Sequence, residues 1–159
     1  MKPGAHQPLK IVSGGQTGVD RAALNFALRH GYGHGGWCPR GRRAEDEVIP
    51  DAYQLREAAT PDYGERTEKN VTDSDATLIV VREKALSGGT AFTQTCAQQH
   101  RRPVLVVCEG DGLAQGATAL SEFLKQNQVR TLNVAGPRES QAPGLGKFVA
   151  ELLEAALGN

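Results

Sequence analysis

The chain has 159 residues, and its 18 lysines and arginines balance 18 aspartates and glutamates, so the formal net charge is zero. This length suits a single domain over residues 1–159 with a sizeable core. A neutral chain is not typical of a general nucleic-acid binder, although a local basic patch would still permit binding. Nucleic acid is therefore not the expected partner.

Cysteine usage and the N-terminus indicate the compartment. Cys38, Cys96 and Cys108 are odd in number and widely spaced, which is typical of buried thiols in a reducing compartment rather than of a disulfide framework. No CxxC or HExxH spacing occurs, so we expect no zinc site and no other metal ligands. The polar stretch 1–8 lacks the apolar segment of a signal peptide, and no run reaches transmembrane length. These features predict a cytoplasmic protein without a membrane partner.

A strand over residues 9–13 leads into a glycine-rich turn, and the turn opens a helix that should end at Gly31. Glycines let a ligand approach the backbone, and the N-terminal end of a helix favours an anion. The turn matches neither GxGxxG nor GxxxxGK[ST], so tight packing remains the alternative to phosphate or nucleotide binding. The candidate binding residues of this turn are Ser13, Gly14, Gly15, Gln16, Thr17, Gly18, Asp20 and Arg21.

A weak strand over residues 33–37 ends at Trp37, whose ring could stack on a base or fill the core. The stretch 39–63 has no clear periodicity, and loops of this length are usually functional or disordered. One interpretation is a solvated loop whose charges neutralise one another. The other is a mobile lid bordering the ligand pocket, with arginines for a phosphate and carboxylates for a ribose or leaving group. Its candidate catalytic residues are Arg42, Arg43, Glu45 and Asp46.

A predicted helix over residues 65–74 contains few apolar residues, and its spacing places Arg66, Asn70 and Asp73 on one face. This face is either solvated or turned toward a ligand. The clearest strand, 76–82, follows it and leads into a second glycine turn and a helix over 91–100. The candidate binding residues of the second turn are Ser87, Gly88, Gly89 and Thr90.

The remaining elements are strands over 103–108 and 130–135, a loop over 110–116, and helices over 118–128 and 145–157. Strands alternating with helices predict a Rossmann-like three-layer α/β/α sandwich with five mainly parallel strands. Ligands in such sheets bind beyond the strand C-termini. If the two glycine turns follow neighbouring strands, the order is 2-1-3-4-5 and both turns converge on one anion; the order 3-2-1-4-5 would separate them.

Six short motifs lie at residues 11–21, 35–39, 41–46, 66–71, 73–76 and 87–90. Taken together, they resemble the molybdenum-carrier family. This is a Rossmann-like branch of the superfamily that contains the lysine-decarboxylase-like (LOG) phosphoribohydrolases and the DNA-processing protein DprA. The resemblance extends over about residues 9–157, and it implies that both glycine turns line a pocket for a phosphorylated nucleotide-like ligand or the molybdenum cofactor. Relatives also often form dimers or larger assemblies, which implies a homo-oligomer.

Three functions remain open on these residues. Phosphoribohydrolase relatives carry a turn PGGxGTxxE whose glutamate acts with an arginine, whereas here the SGGT turn at 87–90 opens a helix without an early carboxylate. This departure favours a binding protein for a phosphorylated nucleotide-like metabolite. The enzymatic alternative, a nucleoside-monophosphate phosphoribohydrolase or another nucleotide hydrolase, would take its carboxylate from Asp20, Glu45 or Asp46. A DprA-like protein that binds single-stranded DNA is the third alternative.

Overall fold

The computed structural model describes residues 9–158, so the expectation for stretch 1–8 lies outside the described residues. The strands are β1 (Lys10–Val12), β2 (Gly33–Gly35), β3 (Trp37–Cys38), β4 (Arg43–Ala44), β5 (Glu47–Val48), β6 (Arg56–Glu57), β7 (Ala76–Val81), β8 (Val104–Cys108) and β9 (Thr131–Ala135). The helices are α1 (Val19–His30), α2 (Tyr63–Thr72), α3 (Gly88–Gln99), α4 (Leu113–Gln126) and α5 (Leu145–Leu157). Within residues 9–158, no helix combines the length and apolar character needed to span a bilayer.

Five parallel strands form the central sheet, which confirms the predicted α/β class. Strand β7 is buried throughout, as expected of a parallel strand covered on both faces. Helices α1, α4 and α5 pack on one face, where Leu78, Val80, Leu132 and Val134 enter the main core. Helices α2 and α3 cover the other face, where Val71 and Ala97 form a smaller cluster. The protein is therefore the predicted three-layer sandwich.

The predicted strand order 2-1-3-4-5 is wrong. The sheet runs β2-β1-β9-β7-β8, so β9 lies between the two strands that lead into the glycine turns. We assumed that turns sharing a ligand must follow adjacent strands, but two strand spacings are only about 10 Å, which one ligand pocket can bridge. Local hydrophobicity is also a misleading guide to a strand's place in the sheet. The apolar strand β8 is at the edge, whereas the central strand β9 contains the buried polar residue Asn133.

Element ends differ from the prediction where glycine decides them. The expected strand 33–37 is divided at Gly36, whose φ of 124° turns the chain out of the central sheet, and β3 pairs with β6 instead. Helix α4 begins at Leu113, so Gly116 lies inside a helix rather than in a loop. A Cβ on Gly116 would come within 2.8 Å of Val107, so the missing side chain lets α4 pack closely on the sheet. Helix α1 ends at Gly31 in the left-handed conformation, as predicted.

The stretch 39–63 contains structure of its own. Strands β4 and β5 pair antiparallel, and β6 pairs with β3. Beneath them, Cys38, Ala44 and Ile49 form a small buried cluster to which Tyr53 and Leu55 contribute. The three cysteines are free and buried, as the sequence predicts.

Candidate functional site

A cavity of about 560 Å³ opens at the carboxyl edge of β1, β9 and β7, between α2 and α3. We call it the deep cavity. Its size is ordinary for a small-molecule site. Eight of the predicted binding residues line it, and they come from both glycine turns and from α2: Gly14, Gln16, Asp20, Arg66, Asn70, Gly88, Gly89 and Thr90. The two turns thus border one cavity although their strands are not neighbours.

A buried ion pair lies in the wall of the deep cavity. Arg66 Nη1 is 3.2 Å from Asp20 Oδ2, and the two side chains are only 15% and 4% exposed. Burial raises the pKa of the Asp20 carboxyl, because the charged form is disfavoured away from water, and the positive charge of Arg66 opposes this shift. Arg66 Nε is buried without any acceptor among the described residues. The guanidinium therefore keeps hydrogen-bonding capacity that the protein itself does not use.

Arg66 also explains Gly14. A Cβ on Gly14 would lie 1.5 Å from Arg66 Nη1, so the guanidinium rests directly on the backbone of the first glycine turn. Asn70, one helical turn further along α2, bonds β3 through both ends of its amide. Its Oδ1 accepts from the Trp37 N–H at 2.8 Å, and its Nδ2 donates to the Trp37 carbonyl at 2.9 Å. Arg66 and Asn70 of the predicted polar face are thus turned inward, and Asn70 fixes the position of α2. Asp73, the third residue of that face, is exposed at the end of the helix.

The second glycine turn presents an open helix N-terminus. Ser87 precedes α3 in extended conformation, and its side chain makes no capping hydrogen bond. Gly88 and Gly89 are exposed to the cavity, and a Cβ on either would meet no atom of residues 9–158 within 4 Å. The first amides of a helix have no intrahelical acceptor, so these N–H groups are available to an anion.

The first glycine turn is packed more tightly than the second. Gly15 has a φ of 80°, and a Cβ there would meet Leu55 at 2.7 Å and Ile49 at 2.9 Å. Gly18 has a φ of 82° and lies against the backbone of Pro137. Ser13 is buried beneath the turn, where its hydroxyl donates to the Asp20 carbonyl. Here the packing interpretation applies: these residues shape the turn, and a side chain on Gly15 would disturb the fold.

Five of the predicted residues lie instead in a shallow groove on the other side of the first turn. This shallow groove is lined by Thr17, Gly18, Arg21, Asn25, Glu45, Asp46, Tyr53, Glu139 and Ser140. Arg21 pairs with Asp46 through two hydrogen bonds of 2.7 and 2.8 Å. Glu45 accepts from the Thr17 hydroxyl and from Ser140 Oγ at 2.6 Å. The pKa of Asp46 is lowered mainly by Arg21, and that of Glu45 by these hydroxyl hydrogen bonds, Ser140 first.

The contacts of Glu45 and Asp46 attach the stretch 39–63 to the first glycine turn, and Asp62 and Tyr63 at its end line the deep cavity. The stretch therefore borders the pocket region, while its mobility stays a prediction. Glu45 and Asp46 do not line the deep cavity. The acids in its lining are Asp20, which is buried, and Asp62, which is exposed just before α2.

The remaining candidates have other surroundings. Arg42 donates to the carbonyls of Ile49, Pro50 and Tyr53, so its guanidinium closes its own loop. Trp37 is not in the cavity lining; its Nε1 donates to Asp73.

Arg43 is exposed at the cavity rim, with its guanidinium carbon 5.4 Å from the centre of the Tyr63 ring. Arg66 and Arg138 lie 5.4 and 5.7 Å from the same ring, so three cations surround Tyr63.

Sequence reasoning missed part of the cavity lining. The turn Gly136–Arg138, which follows β9, forms the wall between the two glycine turns, and Asn133 contributes from within the sheet. A usable signal was present, because all parallel strands end at the same edge and Gly136 directly follows a strand. Tyr63, the first residue of α2, and Phe92, in the second turn of α3, had no such signal, since single aromatic residues are common in cores.

A comparison with protein-family models matches residues 11–157 to the circularly permutated YpsA SLOG family. The chain belongs to this family. A protein from Syntrophus aciditrophicus SB, provisionally named a molybdenum carrier protein, has a crystal structure with the same fold as this chain, at a TM-score of 0.92. Its sequence is 43% identical, and the similarity covers 96% of each chain. Among curated proteins, none matches significantly.

The circular permutation accounts for the strand order of this YpsA-type sheet. When strands are counted cyclically from β7, through β8 and β9 to β1 and β2, the observed sheet reads 2-1-3-4-5. The sequence prediction counted the strands from β1 instead, which is why it wrongly placed β1 beside β7. The position where the strand order reverses then falls between β7 and β9, where ligands of such sheets bind. The deep cavity lies at this position, with Gly88 after β7 and Gly136 after β9.

Proposed function

We propose that this family member binds a phosphorylated, nucleotide-like small molecule in the deep cavity. The main support for this proposal is the environment of the Arg66 guanidinium. This group is mostly buried, pairs with Asp20 through one nitrogen and has a buried Nε without an acceptor among residues 9–158. A guanidinium in such a position is suited to a phosphate, whose oxygens accept paired N–H bonds. A phosphate there would complete the hydrogen bonding that the protein leaves open.

The charges around the cavity support an anionic ligand. Helices α1, α2 and α3 all begin at the cavity, so three partial positive charges surround it. Arg138 adds a half-buried cation at the same wall. These features would hold a phosphate without a lysine, consistent with the absence of lysine from both glycine turns.

The molybdenum cofactor is one candidate, because the named relative is a provisional molybdenum carrier and because the cofactor's pterin bears a phosphate. The cavity fits it in one respect only. Its lining, all within the described residues, has cationic and amide donors but no cysteine, so the protein would hold the phosphate and not the metal. We also propose that the protein acts in the cytoplasm as a homo-oligomer.

Calorimetric titration with nucleoside 5′-monophosphates tests the proposal. The wild-type protein should bind at least one of them, and Gly89→Val should abolish binding by filling the open N-terminus of α3. Gly33→Val is the matched control, because this glycine is exposed in β2 with ordinary φ and a Cβ there would be 3.6 Å from Lys10. Full binding by a folded Gly89→Val variant would place the ligand elsewhere and contradict the proposal.

One observation favours a second candidate, a nucleotide hydrolase. A carboxylate and an arginine do face the deep cavity, as Asp20 and Arg66, although not on the helix that the relatives use. Burial raises the pKa of Asp20, which suits a group that exchanges a proton. In such a reaction water would add to the sugar carbon, the bond to the base would break, and the base would leave with a proton.

Asp20→Asn separates the two candidates. If the protein is a hydrolase, the wild type releases free base from a bound monophosphate, and Asp20→Asn binds the monophosphate without releasing base. Binding by both proteins without any free base, measured by chromatography, would leave the protein a binder.

A further inference from the structure

One aromatic ring in the wall of the deep cavity has no packing partner of its own class. Phe92 is 42% exposed, and of the large apolar side chains that are exposed among residues 9–158, it is the one that lines the cavity. The others are Leu28, Val48 and Leu113. A single exposed apolar side chain is ordinary on a protein surface, so the feature that distinguishes Phe92 is its place in the lining of a cavity of ligand size. Its position at a ligand cavity makes the ligand a natural cover.

The surroundings of Phe92 leave a large part of its side chain open to solvent. Its edge lies beside Gly64 at the start of α2, where a Cβ would still be 3.7 Å from the Phe92 ring. No aromatic ring and no cation of the described residues stacks on it. Tyr63, the neighbouring aromatic of the cavity, differs because three guanidinium groups surround it. Of the two rings, Phe92 is therefore the one available for stacking.

The spacing from the anion-binding end of α3 is suitable for a ligand with two parts. Phe92 follows Gly89 by three residues, which is a rise of about 4.5 Å along the helix. A phosphate at the Gly88 and Gly89 amides and at Arg66 would thus be separated from the Phe92 ring by roughly the length of a sugar. A planar group linked to that phosphate reaches the ring within the same cavity.

We infer that Phe92 stacks on a planar heterocycle of the ligand and so determines its class, a heterocycle joined to a phosphate. This inference rests on the proposed function, because it takes the phosphate position from it. Nucleoside monophosphates and pterin phosphates share this chemistry. Base stacking on an aromatic side chain is sequence-tolerant because each heterocycle has a π-face.

The test compares ligands with and without the ring. AMP, a pterin monophosphate and ribose 5-phosphate are titrated into wild type, Phe92→Ala and Phe92→Leu, with Leu113→Ala as the control at an exposed apolar residue of α4. Phe92→Ala should weaken the better heterocyclic ligand about 10- to 100-fold and leave ribose 5-phosphate unchanged. Phe92→Leu should give an intermediate loss, and Leu113→Ala none. The preference for AMP or for the pterin identifies the source of the heterocycle.

Other outcomes overturn the inference in distinguishable ways. Equal losses for AMP, the pterin phosphate and ribose 5-phosphate would mean that Phe92 shapes the phosphate site. No loss for any ligand, with a smaller mass of Phe92→Ala in light scattering, would make Phe92 an oligomer contact. If wild type binds none of the three, the proposed function itself fails, and the inference fails with it.

Discussion

The deep cavity and the shallow groove share the first glycine turn, but their charged groups are arranged in opposite ways. Asp20 and Arg21 are adjacent at the start of α1, and each faces a different region. Asp20 is buried and pairs with an arginine that keeps unused donors. Arg21 faces the groove, where both of its terminal nitrogens donate hydrogen bonds to the carboxylate oxygens of Asp46, whose side chain is 45% exposed. Charged residues near a glycine turn therefore indicate a ligand site only where the protein leaves their hydrogen-bonding capacity unused.

Breaking the buried pair of Asp20 and Arg66 should have the largest effect on the stability of the protein. Arg66→Met leaves the Asp20 carboxylate buried without its cation, and we expect a loss of about 3–5 kcal/mol in the free energy of unfolding. The pKa of Asp20 is already raised by burial, and without Arg66 it rises further. Protonation then removes the buried charge, so the loss should be largest above the raised folded-state pKa and shrink as the pH falls from that pKa toward the unfolded pKa of the carboxyl. Urea denaturation at several pH values measures this.

The control for that variant is Asp20→Asn combined with Arg66→Met, which has no buried charge and should recover most of the lost stability. A loss below about 1 kcal/mol in Arg66→Met, in the range of exposed pairs, would mean that the two regions do not differ as described.

A subtler change tests the free donors of the deep cavity. Arg66→Lys keeps the charge but loses the planar fork, and it should weaken AMP binding about 10- to 100-fold. Arg21→Lys is the matched variant in the shallow groove and should leave AMP binding unchanged. Calorimetry on both variants decides the point, and equal losses would assign the ligand to both regions.

The groove pair itself should contribute little. A double-mutant cycle of Arg21→Ala and Asp46→Ala should give a coupling free energy of about 0.2–1 kcal/mol, since nearly half of the Asp46 side chain is exposed and solvent screens the pair. The coupling should fall as salt is added. A coupling as large as that of the buried pair would remove the contrast between the regions.

The smallest expected effect is on the stability of the protein in acid. The pKa of Glu45 is lowered by hydrogen bonds from Ser140 and Thr17, so its folded-state value lies below its unfolded value. Its contribution to stability is therefore present above the unfolded pKa and lost as the pH falls through the folded pKa. Wild type should lose stability on acidification slightly more steeply than Glu45→Gln, as thermal unfolding between neutral pH and about pH 3 would show. Identical slopes would mean that the Glu45 contacts do not persist in solution.

Much of the fold could be predicted because it is encoded locally. Helix α5 and strand β7 follow from periodicity and from continuous apolar character, and Gly31 marks a helix end. The position of β9 in the sheet is not encoded in its local sequence. Its pairing with β1 and β7 joins segments far apart in the chain, and its buried Asn133 makes it less apolar than the edge strand β8.

Part of the cavity lining could also be predicted from local sequence. Arg66, Gly88 and Gly89 were found because a strand, a turn and a helix face have sequence signatures. The choice of Asp20 over Asp46 as the cavity acid depends on which side of α1 each partner reaches, and only the tertiary structure decides that.

The central position of β9 also has a consequence for the order in which the sheet forms during synthesis. Strands β1 and β2, and likewise β7 and β8, are made early enough to pair while β9 is still to come. Until β9 inserts, β1 and β7 each present an unpaired edge, which is the kind of surface that pairs wrongly or aggregates. The wall Gly136–Arg138 arrives with the same strand. The nascent chain should thus depend on protection of these two edges, and it cannot retain a cavity ligand before its last strand is in place.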